Sequence, residues 1–238
     1  MKKIILISLL FAPLVSIGQL ITTSSNASNL VQNVLLGTGV TVSNISYSGS
    51  GAAIGSFTAN NTNLGLASGV VITTGTISGP DGPQGPNNTE GAGVDNGAGS
   101  YSPLTAIAGA PTFNAAIVSF DFVPFSDSVE FRYVFGSEEY LEYVNHSQGY
   151  NDAFAFFIAG PGIPGGQQNI AKLPNNQPVA IYNVHAAGSN VEGTSFGPLN
   201  SQYYVNNNGG STIQYDGFTT VLTAKSKVQC GETYRLII

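Results

Sequence analysis

Three of the chain's 13 acidic residues fall in one stretch of twelve positions, Val134-Phe135-Gly136-Ser137-Glu138-Glu139-Tyr140-Leu141-Glu142-Tyr143-Val144-Asn145. A fourth opens the apolar run Asn151-Asp152-Ala153-Phe154-Ala155-Phe156-Phe157-Ile158, so four carboxylates lie within fifteen residues of a chain that is 8% charged. Hard cations such as Ca²⁺ take six to eight oxygens from carboxylates, backbone carbonyls and Asn side chains. Glu138, Glu139, Asn151 and Asp152 are candidate Ca²⁺ ligands, with Asp121 a further one. Adjacent strand residues face opposite ways, so the two glutamates cannot converge from regular β-structure. Gly136-Ser137 is therefore expected to end a strand and place both on a turn. The alternative stays open: acids that cap turns and accept backbone hydrogen bonds.

Other chemistries find less support. A glycosidase needs two carboxylates about 5–9 Å apart across a cleft, and Glu139 with Asp152 are the pair available. No Ser-His-Asp order, nucleophile elbow or phosphate loop is present. Zinc lacks a compact ligand set, because His146 and His185 are the only histidines and Cys230 the only cysteine. Tyr140, Tyr143, Tyr150, Tyr203 and Tyr204 stand in or beside polar segments, where tyrosine rings can stack on sugar faces. The competing role for half of them is to fill a core or its rim.

These residues need a β-scaffold, and the pattern supplies one. Strands are predicted at Val40–Tyr47, Gly69–Thr74, Ala116–Val123, Ser128–Phe135, Ala153–Ala159, Val179–Val184, Ser211–Tyr215, Thr219–Thr223 and Thr233–Ile238. Val118, Phe120 and Phe122 alternate with Ser119, Asp121 and Val123, and Val129, Phe131 and Tyr133 with Glu130 and Arg132. Asp216-Gly217 reads as a hairpin turn. One short helix is expected near the start, where Leu30, Val31, Val34 and Leu35 share a face, Ser24 to Ser28 offer caps and Gly37 a stop. Short strands without interleaved helices predict a mainly β fold, an antiparallel β-sandwich or jelly roll. Gly79 to Gly99 is expected to be a mobile surface loop, with Asp81, Glu90 and Asp95 as minor ion-ligand candidates.

Residues 1–18 read as a signal peptide: Lys2-Lys3, the apolar run Ile4 to Val15, then small residues before Gln19. The apolar run is shorter than the roughly 18–20 residues of a membrane span. Its removal leaves 5 basic and 13 acidic residues, a net charge of −8. That disfavours nucleic acid, which needs clustered Lys and Arg, and after cleavage no segment is left for membrane insertion. With one cysteine the chain cannot staple itself, so packing or bound ions must supply stability. Cys230 is expected to be a buried thiol. The remaining residues, 19–238, fit a single domain. They end on Tyr234-Arg235-Leu236-Ile237-Ile238, inside a strand pattern, which predicts a truncated domain with an exposed sheet edge and poor solubility.

Five motifs carry a resemblance. They are Gly65-Leu66-Ala67-Ser68-Gly69-Val70-Val71-Ile72-Thr73-Thr74-Gly75, Phe120-Asp121-Phe122-Val123-Pro124, the acidic stretch from Val134, the Asn151-Asp152 run through Pro161, and Tyr215-Asp216-Gly217-Phe218-Thr219-Thr220-Val221-Leu222-Thr223. In this order they resemble the bacterial choice-of-anchor L domain along nearly all of residues 19–238. The resemblance implies a β-rich extracellular or cell-surface module near the N-terminus of larger proteins, exported or held by varied C-terminal signals, including the type IX sorting domains of gliding Bacteroidetes. It also implies a non-catalytic binding or adhesion role toward a glycan or protein surface. A ligand-free spacer and a carbohydrate-active enzyme are the alternatives. Many members carry a Cys after the acidic motif where this chain has His146-Ser147, so no disulfide forms there.

Overall fold

The computed structural model describes residues 19–36, 40–79, 82–87 and 95–238. The signal-peptide reading, Gly37, Asp81 and Glu90 lie outside them. At the centre is a five-stranded antiparallel sheet in the order Gln167–Asn169, Phe157–Ala159, Tyr234–Ile237, Ile117–Val123, Thr41–Ser48. The strand Tyr234–Ile237 is hydrogen-bonded on both sides, to Ile117–Val123 and to Phe157–Ala159. Period-two alternation sends Val118, Phe120 and Phe122 into the core. The other face carries a polar ladder: Arg235 reaches Asp121 at 3.0 Å and Ser119 at 2.7 Å, and Ser46 bonds Ser119 at 2.8 Å. The register of Thr41–Ser48 against Ile117–Val123 breaks between Ser43 and Ser46. There Asn44, at φ 51°, turns its amide onto Asp121, a left-handed position Asn tolerates.

Against the inner face lies the ribbon of Ser128–Tyr133 paired with Leu222–Lys227. Phe131 stacks on Phe156 with ring centroids 5.5 Å apart, and Tyr133 meets Phe154 at 5.1 Å. These contacts join the two layers into one continuous core. Burying such rings is the main favourable term in the fold. The fold is thus the expected mainly antiparallel β-architecture, divided into more and smaller sheets.

The expected N-terminal helix spans Ala27–Leu30, capped by Asn26, and continues to Leu35 as a wider coil closed by the Leu36 N–H on Val31 O. Leu30 and Val31 are buried, while Val34 faces solvent. A second helix, Ser102–Ala108, was not expected. Pro103 in its first turn and Gly109 at φ 69° after its last residue mark its ends.

Several strand expectations change. Ala153–Ala159 splits into Ala153–Phe154 and Phe157–Ala159. Only Val179–Ala180 of Val179–Val184 pairs, because the N–H groups of Asn183 and Val184 turn back onto Ala180 O. Ser211–Tyr215 holds a single bridge, from Ile213 to Gln84. Gly82 to Asn87 is no free loop: Gln214 N–H donates to Pro83 O and Asn87 N–H to Gly210 O. Cys230 is exposed, on the turn before Tyr234–Ile237, because that turn projects from the sheet and offers the thiol nothing to pack against.

Candidate functional site

A three-stranded sheet, Tyr204–Asn206, Gly217–Thr219 and Gly136–Ser137, builds the site. Gly217 is the middle residue of this arrangement, opposite Asn206 on one side and Ser137 on the other, and is not a hairpin turn. Pairing on both sides overrides the turn preference of Asp-Gly. A Cβ at Gly217 would come within 2.6 Å of Tyr204 Cε2 and 3.0 Å of Tyr140 Cδ2. Glycine is required there because two tyrosine rings close over its backbone.

After Gly136–Ser137 the chain leaves the sheet, as the sequence suggests, and Glu138 and Glu139 follow on irregular backbone. Turns held by Tyr143 N–H on Glu139 O and Val144 N–H on Leu141 O carry it past Glu142. Ser137 Oγ donates to Asp152 Oδ2 at 2.8 Å and accepts the Glu139 N–H at 3.0 Å. On the far side, Asn207 donates to Ile213 O and Tyr215 O, and its N–H bonds Asp216 O, which shapes the loop presenting Asp216. The Asn87 amide fixes the Asp216 carboxylate at 2.8 Å.

Glu138, Glu139, Glu142, Asp152 and Asp216 therefore share one neighbourhood, and every charge that shifts Glu138 or Glu139 is another acid. Burial, then Asp216, Glu139 and Glu142, push the Glu138 carboxyl up to about 8, with the Gln214 amide offsetting part of the rise. Neither Glu138 carboxylate oxygen has a hydrogen bond of good geometry, and both are sealed from solvent. Burial, then Asp152, Asp216 and Glu142, push Glu139 to about 7. Asp152 keeps a little accessible surface, yet protein surrounds its carboxyl and raises it, against the Ser137 bond. Tyr140 is 2% exposed and its Oη has no hydrogen-bond partner. Burial first, then Tyr204 and Asp152, hold its hydroxyl well above the usual tyrosine range. Among the described residues no three acidic, imidazole or thiol groups converge at metal-ligand spacing, as repulsion between like charges dictates.

Of the residues singled out in the sequence, the fold gathers Glu138, Glu139 and Asp152. Asn151 points elsewhere: its amide donates to Ala108 O at 2.7 Å and accepts the Tyr182 N–H at 3.1 Å. Asp121 is on the outer face of the main sheet with Arg235 and Asn44, which hold its carboxyl below the usual range, the Asn44 bond first. Asp95 accepts the Gly97 N–H in a local turn. The residue missed is Asp216, whose Asp-Gly pair carries a turn signal that hides its place beside the glutamates.

Beside this region is a recess of about 330 Å³, lined among others by Tyr140, Glu142, Tyr204, Asn206 and Asp216. Tyr140 and Tyr204 rings lie 4.9 Å apart. Of the other tyrosines, Tyr143 and Tyr150 cluster with His146 at centroid distances of 5.0–5.4 Å, and Tyr203 packs partly against the core. His146 faces Glu192 at 3.5 Å, and His185 is buried against Ala186 O.

The family model of the choice-of-anchor L domain matches residues 19–238. Comparison with curated proteins and with solved structures finds no match.

Proposed function

The chain belongs to the choice-of-anchor L domain family, and from that premise we propose that it is an exported, non-catalytic binding or adhesion module that recognises an extracellular glycan, with Ca²⁺ as a stabilising ion. The family is one of surface or secreted proteins and is not an enzyme family. Among the described residues no helix is long and apolar enough to cross a membrane.

The observation that carries the glycan reading is the recess. Its volume is at the lower end of ligand pockets, which run from about 300 to 1,000 Å³, and its walls are unusually polar. Glu142, Asp216, Asn206, Asn208 and Ser189 offer hydroxyl-directed acceptors and donors, and the Tyr204 ring offers a face. A polyhydroxylated sugar satisfies all three at once. The pair once considered for glycosidic cleavage does not flank an open cleft, since the Asp152 carboxyl is enclosed and bonded to Ser137.

The test is capture on immobilised glycans by residues 19–238, compared with Tyr204→Ala. Saturable capture lost in the variant is expected. No capture, or capture indifferent to Tyr204, would remove the glycan assignment.

A further inference from the structure

We infer that Asn208 is a site of spontaneous modification: its side chain closes onto the backbone nitrogen of Gly209 and is converted, through a succinimide, to aspartate and isoaspartate. The modification is independent of the glycan reading above; only its effect on the recess rests on that reading.

The chain holds two copies of one reactive dipeptide, Asn96-Gly97 and Asn208-Gly209. Glycine after asparagine favours ring closure, because no Cβ shields its nitrogen from the side-chain carbonyl carbon. The two copies are matched on the glycine side. Gly97 stands at φ 72° and Gly209 at φ 73°. Each N–H is donated to a side-chain oxygen, Gly97 to Asp95 Oδ1 at 3.0 Å and Gly209 to Asn87 Oδ1 at 3.2 Å. Neither feature sets one pair apart from the other.

The asparagine side chains differ. Asn96 is half-buried and held at both ends: Nδ2 donates to Thr74 O at 2.6 Å, and Oδ1 accepts the Ala98 N–H at 3.1 Å. Ring closure there must break both bonds before Cγ can turn to the Gly97 nitrogen. Asn208 is exposed. Its backbone N–H is bonded to Asn206 Oδ1 at 3.0 Å, while no hydrogen bond restrains its side chain among the described residues. It is the second residue of the tight turn Asn207–Gly210, which the Gly210 N–H closes on Asn207 O at 2.7 Å. Rotation of the exposed side chain disturbs no packing.

The chemistry needs only water. Solvent hydroxide removes the Gly209 amide proton, and the nitrogen attacks Asn208 Cγ to form a C–N bond. The tetrahedral adduct takes up a proton and expels ammonia, which leaves a five-membered succinimide. Water then opens the ring at either carbonyl. Cleavage of the bond to Cγ gives aspartate. Cleavage of the bond to the main-chain carbonyl carbon gives isoaspartate, with the backbone rerouted through Cβ and Cγ. Nothing is oxidised or reduced: one water is consumed and one ammonia released.

The product changes the recess, since Asn208 lines it together with Glu142 and Asp216. An amide that both donates and accepts becomes a third carboxylate that only accepts. The negative potential there deepens, and anionic sugars are disfavoured against neutral ones.

The experiment incubates residues 19–238 in mildly alkaline buffer, where amide deprotonation is easier. Both pairs are followed by peptide mapping and by isoaspartyl-specific enzymatic methylation, beside a sample held unfolded in guanidinium chloride. In the folded protein Asn208 should be converted at least about tenfold faster than Asn96, because two hydrogen bonds guard Asn96 alone. In denaturant the two rates should converge. Asn208→Gln, whose longer side chain closes a six-membered ring far more slowly, should remove the signal from this position. Equal rates in the folded protein, faster conversion of Asn96, or an intact Asn208 under conditions that convert the unfolded chain would overturn the inference. So would a rate ratio unchanged by denaturant, which would assign the preference to local sequence. None of these readouts involves glycan capture, so the two readings fail separately.

Discussion

Ser137 Oγ donates to Asp152 Oδ2 at 2.8 Å while accepting the Glu139 N–H at 3.0 Å, so one hydroxyl ties the acidic turn to the start of the Ala153–Phe154 strand. Ser137 is itself buried. In Ser137→Ala the enclosed Asp152 carboxyl loses its donor, and a buried acceptor without a partner costs about 1–3 kcal/mol. For a chain of this length that is a fall in Tm of several degrees, roughly 2–4 °C per kcal/mol. Thermal unfolding of Ser137→Ala beside the parent protein measures it, and an unchanged Tm would show that the link carries no stability.

The raised carboxyls set a pH dependence for the ion-free protein. Glu138 at about 8 and Glu139 at about 7 stand above the ordinary glutamate value of 4.5. Both hold their protons more tightly folded than unfolded. Between about pH 4.5 and 8 the folded state therefore binds more protons, and stability falls as pH rises through that window. Their contribution is fully present below 4.5 and gone above 8. Asp152, raised by burial, acts in the same direction, while Asp121, lowered by Asn44 and Arg235, acts oppositely at lower pH. Tm measured in EDTA should decline from pH 5 to pH 8, and Glu138→Gln should flatten the decline. A Tm that rises across this range would contradict the assignment.

Gly217 offers a steric test. The Cβ of Gly217→Ala would stand 2.6 Å from Tyr204 Cε2 and 2.9 Å from its hydroxyl, closer than real contacts permit. Overpacking of this kind costs about 1–3 kcal/mol, and the Tyr204 ring must swing from the recess wall. The expected result is a lower Tm together with weaker glycan capture. Loss of stability with capture intact would show that Tyr204 does not form the binding wall.

What the sequence shows and what it hides follow from the range of the interactions involved. The buried face of Ile117–Val123 is legible because Val118, Phe120 and Phe122 repeat at a spacing of two, a local property. Ser102–Ala108 shows its start in Ser102-Pro103 and its stop in Gly109, but its seven residues are too few to establish an apolar period. Asp216 is illegible for another reason. Its place beside Glu138 depends on Gly217 pairing with Ser137, a contact between segments about eighty positions apart, and no local pattern encodes that. Asn151 and Asp152 are adjacent and read as one ligand pair, yet one reaches Ala108 and Tyr182 while the other reaches Ser137. Neighbouring residues in extended backbone face opposite ways, the same rule that separates Glu138 from Glu139 in a regular strand.

Asp121 separates the two acidic regions of the molecule. Its carboxylate is paired with Arg235 at 3.0 Å, with side-chain exposures of 18% for Asp121 and 38% for Arg235. A partly solvated pair of this kind contributes about 0.2–1 kcal/mol. Asp121→Asn keeps the shape and leaves Arg235 its bond to Ser119, so Tm should change by no more than a few degrees. Because none of the groups acting on Asp121 belongs to the acidic turn, the decline of Tm between pH 5 and pH 8 in Asp121→Asn should match that of the parent protein. A decline flattened in Asp121→Asn as much as in Glu138→Gln would show that the two acidic regions titrate together. An unchanged pH profile with a small thermal effect is the outcome that the separation of the two clusters requires.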